Sequence, residues 1–306
     1  MGEVLPVVLA IAADRSWRVR WSLAVKISDV AGVMGSQVAN NSLCECFENL
    51  LRDPEAEVRS AAAGNISKMC SRIRKDVMVT RVLPIVNQIV TDTSDYARAA
   101  CAAVINDLAS LLGREGTVEQ LLPMLLQLLR DESSDVRLNI IANLDAINAV
   151  IGVELLSQSL LPAIVDLAED SKWRVRHAII EHIPRIAQQL GCTFFNEKLN
   201  NLCMTWLGDD VYSIRRAAAN NLCKLSAQFG EEWTKETVEA VIIPIIVHMA
   251  SDSVPNVRLN VARTLEDIIA NTASKFRGNF LEKCIAPTLA ILCEDSDRDV
   301  RFYSTK

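Results

Sequence analysis

Leu160-Leu161-Pro162-Ala163-Ile164-Val165-Asp166-Leu167-Ala168-Glu169-Asp170-Ser171-Lys172-Trp173-Arg174-Val175-Arg176 is the stretch from which the fold is read. Apolar residues recur at helical spacing as far as Ala168. The polar run Glu169 to Lys172 breaks the pattern. It resumes from Trp173 to Gln189, with Val175, Ala178, Ile179, Ile183 and Ile186 on one side. This predicts a first helix over Leu155 to Ala168, a short turn, and a second helix closed by Gly191. Glycines at Gly35, Gly113, Gly152 and Gly230 are expected to close the second helices of other units.

The stretch is one of a series. The arginine that ends it recurs as Arg20, Arg59, Arg98, Arg137, Arg176, Arg215, Arg258 and Arg301, first at steps of 39 residues and then at two steps of 43. Val, Ala or Ile precedes each one. Six residues before every arginine stands an aspartate: Asp14, Asp53, Asp92, Asp131, Asp170, Asp209, Asp252 and Asp295. Fourteen residues before six of them stands a proline; repeats two and six carry Glu45 and Asn201 instead. A recurrence at this period is the signature of a helical-repeat array.

Physical chemistry assigns the shared positions. The aspartate lies in the turn, where its carboxylate can accept N–H bonds at the start of the second helix. The arginine lies about one turn inside that helix. Repeated at equal spacing, the two can form a ladder of charge-assisted hydrogen bonds between neighbouring units. Asp131, Arg137, Asp170, Arg176, Asp209 and Arg215 are its central candidates. The proline removes a donor from the first helix and is expected to bend it. Small residues four after the arginine, such as Ala24, Ala63 and Ala102, let helices approach closely. One helix pair cannot bury its own apolar face, whereas stacked pairs can. The expectation is an all-α superhelix, a single solenoid of about eight repeats. Their approximate bounds are 1–38, 39–77, 78–116, 117–155, 156–194, 195–235, 236–278 and an incomplete 279–306, whose second helix lacks room to form before Lys306.

Composition narrows the function. Half the residues are hydrophobic and only 5% aromatic. A net charge of −6 argues against a dedicated nucleic-acid binder, and the basic run Arg72-Ile73-Arg74-Lys75 reads as a solvated helix end. Nine cysteines in irregular spacing, with no CxxC, read as small hydrophobes in a reducing compartment. The N-x-S matches at Asn40 and Asn65 are then chance hits. No basic leader and no apolar stretch of membrane-spanning length is seen, so a soluble protein of the cytoplasm, or of the nucleus as well, is expected. His177 and His182 are five apart on one helix, the wrong spacing for a shared metal, and no catalytic motif is present. No enzyme activity, cofactor, metal, small-molecule substrate, nucleic acid or membrane partner is expected.

A 39-residue helix pair with Pro, Asp, Val and Arg at these offsets resembles the HEAT repeat. The quoted stretch, Val136-Arg137-Leu138-Asn139-Ile140-Ile141, Phe194-Phe195-Asn196-Glu197-Lys198-Leu199-Asn200 and Val211-Tyr212-Ser213-Ile214-Arg215 are similar to the scaffold (A, or 65 kDa regulatory) subunits of protein phosphatase 2A. Ser16-Trp17-Arg18-Val19-Arg20 resembles another tryptophan-bearing repeat of that family. The resemblance implies a scaffold that grips the catalytic and the B-type regulatory subunits of a phosphatase through its intra-repeat turns. It points to Lys172, Trp173, Arg174 and Tyr212 for the catalytic subunit, and to Trp17 and Arg18 for the regulatory subunit. Trp and Arg dominate interface energetics, and a tryptophan just after a polar turn is costly to leave in water. The alternative is that Trp173 packs over the turn of the next repeat.

The family scaffold carries more repeats than this chain, and one family repeat is expected to be missing between Gly230 and Val241. An importin β-like transport receptor is the alternative function. It calls for acidic runs along the concave face, which the sequence lacks.

Overall fold

The computed structural model describes residues 4–152, 155–233, 243–272 and 285–305, and among them there is no strand. The region between Gly230 and Val241 and the start of repeat eight lie largely outside these residues. The chain divides into two compact units, Met1–Ala163 and Ile164–Lys306.

In the first unit the helix pairs are Val4–Ala12 with Trp17–Met34, Cys44–Leu51 with Ala56–Ala63, Leu83–Ile89 with Asp95–Val104, and Leu122–Leu129 with Ser134–Ala142. The helix Leu161–Ala168 carries the boundary between the units, and Trp173–Leu190 follows it in the second unit. Asn200–Trp206 then pairs with Tyr212–Trp233, Ile243–Met249 with Pro255–Thr272, and Ala286–Cys293 with Arg298–Ser304. Between stacked pairs lies an apolar core that includes Ile27, Phe47, Ile66 and Met69 in the first unit, and Ile179, Ile183 and Phe195 in the second. Ala24, Ala63, Ala102 and Ala262 are fully buried, as close helix approach requires.

The charge ladder is present in both units. Arg20 donates from Nε to Asp53 Oδ2 (2.6 Å) and from Nη2 to Oδ1 (2.8 Å). Arg59 holds Asp92 at 2.6 and 2.8 Å, and Arg98 holds Asp131 at 2.7 and 2.9 Å. In the second unit Arg176 holds Asp209 at 2.9 Å through both nitrogens, and Arg258 holds Asp295 at 2.6 and 2.9 Å. The Arg215–Asp252 rung is looser, at 3.1 and 3.4 Å. The third nitrogen, Nη1, reaches back to the carbonyl of the aspartate in the arginine's own repeat, as from Arg98 to Asp92 O (2.7 Å). Arg137 does the same to Asp131 and to Glu132 O (3.0 Å). Each carboxylate also accepts the N–H two residues on, for example Asp170 from Lys172 (2.8 Å). It therefore braces the turn just ahead of the second helix rather than that helix's own free N–H groups. One arginine thus ties its own turn to the turn of the next repeat.

Several expectations need correction. Pro84, Pro123, Pro162 and Pro287 are each the second residue of a regular helix, where a missing N–H costs little. What precedes three of them is a wide, π-type turn, Met78–Val82, Thr117–Leu121 and Leu156–Leu160. Repeat two has the same turn at Ala39–Leu43 with Glu45 in place of proline, so the proline does not cause the widening. Gly35, Gly113, Gly152 and Gly191 close second helices at φ of 74–84°, a conformation that only glycine adopts cheaply. Gly230 does not, because its helix runs on to Trp233. Repeat eight does form a short second helix, capped by Asp297, whose carboxylate accepts from the N–H groups of Asp299 and Val300. Arg263 lies 4.2 Å over the ring of Tyr303 and helps hold that helix. Lys75 is more than a solvated end, since its Nζ donates to Leu112 O (2.5 Å).

A second polar feature was not anticipated. Asn65 is buried where the second helix of repeat two breaks before Ile66–Cys70. Its Nδ2 donates to Ala24 O (3.0 Å) and Val25 O (3.3 Å) of repeat one, and its Oδ1 accepts from Ser28 (2.9 Å). Asn143, at the same break in repeat four, donates to Ala103 O of repeat three (3.3 Å). A side-chain amide can compete with the helix for backbone groups in this way.

Arg98 and Asp131 are each 8% exposed at the side chain, so removing one strands the other away from water. Arg98→Ala is expected to cost about 3 kcal/mol in urea unfolding, and the double variant Arg98→Leu/Asp131→Leu to recover most of it. A second expectation concerns acid. The hydrogen bond from Arg258 holds the Asp295 carboxyl down at about 2, against an ordinary 3.8. Burial pushes Asp53 and Asp92 upward, but the bonds from Arg20 and Arg59 and the turn N–H groups outweigh it, and both sit below the ordinary value. Groups with lowered folded pKa stabilise fully above the unfolded value and lose that contribution as pH falls through the folded one. The melting temperature should therefore hold steady from neutrality down to about pH 4 and fall between there and about pH 2, less steeply in Asp295→Asn.

Candidate protein-binding surface

The turn between paired helices is polar and open. The residue that opens the second helix follows it at once, so its side chain stands at the edge of the array. Trp173 opens its helix and is 36% exposed, and Tyr212 opens the next and is 45% exposed. Lys172 and Arg174 are exposed on either side of Trp173. The Arg174 guanidinium lies 4.9 Å over the indole, and His177, one turn on, meets it edge-to-face at 6.2 Å. Trp173 thus packs against its own helix, and a flat aromatic–cation surface remains open to solvent. In repeat one Trp17 is half-buried, with the Arg18 guanidinium 4.5 Å over its ring. The same Trp-Arg pair therefore opens the second helix in repeats one and five.

Other exposed aromatics were missed. Trp21 (43% exposed), Tyr96 (77%) and Phe302 (56%) also lie within the first five residues of second helices. The legible signal for Trp21 is its place one helical turn after Trp17. Tyr96 occupies the position of Arg18 and Arg174. Among the described residues the strongly exposed aromatics thus fall at one place in the repeat, which is how a docking ridge is composed.

Behind Tyr212 a groove runs between the second helices of repeats five and six, lined by His177, Glu181, Arg216 and Lys224 among others. His177 Nδ1 lies 3.9 Å from Glu181. Of the remaining sequence candidates, Asp131, Arg176, Asp209 and Arg215 belong to the stacking seams rather than to this edge, and Arg137 and Asp170 brace their own turns. Asn65, one of the two N-x-S asparagines, is buried between two repeats.

Among the described residues no group of three His, Cys, Asp or Glu side chains could hold a metal ion, and no helix is long and apolar enough to cross a membrane. Burial pushes the thiols of Cys44, Cys70, Cys101 and Cys203 up to about 12 and that of Cys46 to about 11. Cys192 and Cys293 are half-exposed, and the side chains of Cys223 and Cys284 lie outside the described residues.

Helix pairs stacked through arginine–aspartate rungs, with an open edge of turns, define a HEAT-repeat protein, and the fold belongs to the all-α superhelix class. Family profiles agree: residues 36–113 match the PPP2R1A-like HEAT repeat, 122–223 match HEAT repeats and 242–271 match the HEAT repeat. Over 74 residues the chain is 37% identical to the regulatory A subunit of protein phosphatase PP2A from Saccharomyces cerevisiae, covering 23% of this chain. Over 69 residues it is 43% identical to the beta isoform of the human 65 kDa regulatory A subunit of serine/threonine-protein phosphatase 2A, covering 21% of this chain. Each match spans 12% of the relative. Among solved structures, 99% of the chain superimposes on Kap95p in its RanGDP complex (TM-score 0.71, 15% identity) and on importin β (TM-score 0.73, 12% identity), in each case on 40% of that chain. At such identities the likeness is one of fold.

The thiol environment yields an expectation. Because the thiolate is the nucleophile, Cys44, Cys46, Cys70, Cys101 and Cys203 should resist iodoacetamide in the native protein near pH 8. They should label together in denaturant, as read by peptide mass spectrometry.

Proposed function

We propose that the chain is a non-catalytic scaffold for a protein phosphatase 2A-type Ser/Thr phosphatase. The observation that carries this reading is the local sequence likeness to two phosphatase 2A regulatory A subunits. The exposed edge supports it, because Trp and Arg at a turn are the side chains that most often anchor an interface. Lys172, Trp173, Arg174 and Tyr212 receive the catalytic subunit, and Trp17 and Arg18 a B-type regulatory subunit. HEAT-repeat families of this kind are generally non-enzymatic, and the scaffold works in the cytoplasm or nucleus beside its phosphatase.

The partly exposed Trp173 makes the reading testable. In surface plasmon resonance with a purified phosphatase 2A catalytic subunit, the chain should bind, and Trp173→Ala should weaken binding by about 2 kcal/mol, roughly thirtyfold, with helical circular dichroism unchanged. Tyr212→Ala should weaken it in the same sense. No measurable binding by the folded chain sinks the proposal, and binding to a Ran-type GTPase in its place favours the importin-like alternative.

A further inference from the structure

Asn221 is 3% exposed, lines the groove between the second helices of repeats five and six, and its Nδ2 has no hydrogen-bond partner. A buried amide donor is rarely left unpaired in a native protein. It stands six residues after the ladder arginine Arg215, the offset of Asn65 from Arg59 and of Asn143 from Arg137. Those two donate across their seams to carbonyls 40 or 41 residues earlier. The counterparts for Asn221 are Ile180 and Glu181. The bond is not made, because the helix of Asn65 or Asn143 breaks at the asparagine, whereas Tyr212–Trp233 runs straight through.

The facing helix is short of a donor at the same place. Pro184 lies inside Trp173–Leu190 and has no amide hydrogen, so the carbonyl of Ile180, four residues earlier, loses its helical partner. Ile180 also lines the groove. A donor and an acceptor, each deprived of its usual bond, thus border one cleft. Arg216 and Lys224 stand on one wall and Glu181 on the other, so cations are in excess.

We infer that this groove seats an extended, acidic peptide segment of a protein partner. The peptide's backbone carbonyl accepts from Asn221 Nδ2, its backbone N–H donates to Ile180 O, and an acidic side chain meets Arg216 or Lys224. The interior of a helical ligand has no such backbone groups to spare, and its free N–H and C=O groups lie at opposite ends, while a small anion satisfies the cations but not the acceptor.

The test is selection of short random peptides displayed on phage against the whole chain. Recovered sequences are then synthesised and measured by fluorescence polarisation. The expected peptides are rich in Asp and Glu. Asn221→Leu and Arg216→Glu each weaken them by about tenfold or more, and so does N-methylation of one backbone amide. Asn221→Leu melts no lower than the parent, because it removes an unpaired buried amide rather than a bond. The inference is overturned if no peptide is enriched over the bare matrix, or if the enriched ones are basic. Binding that survives both substitutions or the N-methyl scan overturns it too, as does an Asn221→Leu chain that melts at lower temperature.

Discussion

Within each of the two units the seams share one bond geometry, a planar guanidinium set against the carboxylate of the next turn. The pair is bidentate, so it fixes orientation as well as distance. Its third nitrogen closes on the carbonyl of its own turn, so a single side chain measures the offset between two turns. The apolar core supplies the larger share of the free energy but little direction, because Leu, Ile and Ala surfaces slide over one another at modest cost. The rung removes that freedom. Its burial adds selectivity, since a slipped neighbour leaves both charges short of water and of each other.

The division of labour within a repeat follows. Residues that point along the array are committed to stacking, and those at the turn edge are not. The same few positions carry arginine, alanine and aspartate inward in repeat after repeat, while the first residues of the second helix differ freely: Trp17, Ala56, Asp95, Ser134, Trp173 and Tyr212. An edge built this way is a row of variable side chains on an invariant frame. It suits a protein whose task is to hold others, whatever those partners are.

Much of this was legible in the sequence. Aspartate and arginine six apart, recurring in every unit, have no equally good partner inside a single hairpin, so the spacing alone points across the seam. The Trp-Arg pairs also stood out, because tryptophan directly after a polar turn conflicts with the local pattern. Other features escaped for a physical reason: they depend on backbone paths that residue identity does not encode. The wide turn occurs with proline at Pro84 and with Glu45 alike. Gly230 has the residue type of a helix terminator, yet its helix continues, since glycine is tolerated in a helix at about 1 kcal/mol. Asparagine at one offset bridges two seams and leaves a third open, according to whether its own helix breaks.

Rungs one to three and the Arg176–Asp209 rung join residues 33 apart, whereas Arg215–Asp252 and Arg258–Asp295 join residues 37 apart. The Arg258–Asp295 pair is nonetheless as short as the Arg20–Asp53 pair. Added chain length can therefore be taken up away from the clasp, as at Arg258–Asp295, although the Arg215–Asp252 rung with the same spacing is looser. A protein joined in this manner can gain or lose loop residues over generations while its units keep their spacing, so variation in length becomes a source of new surface rather than a threat to assembly.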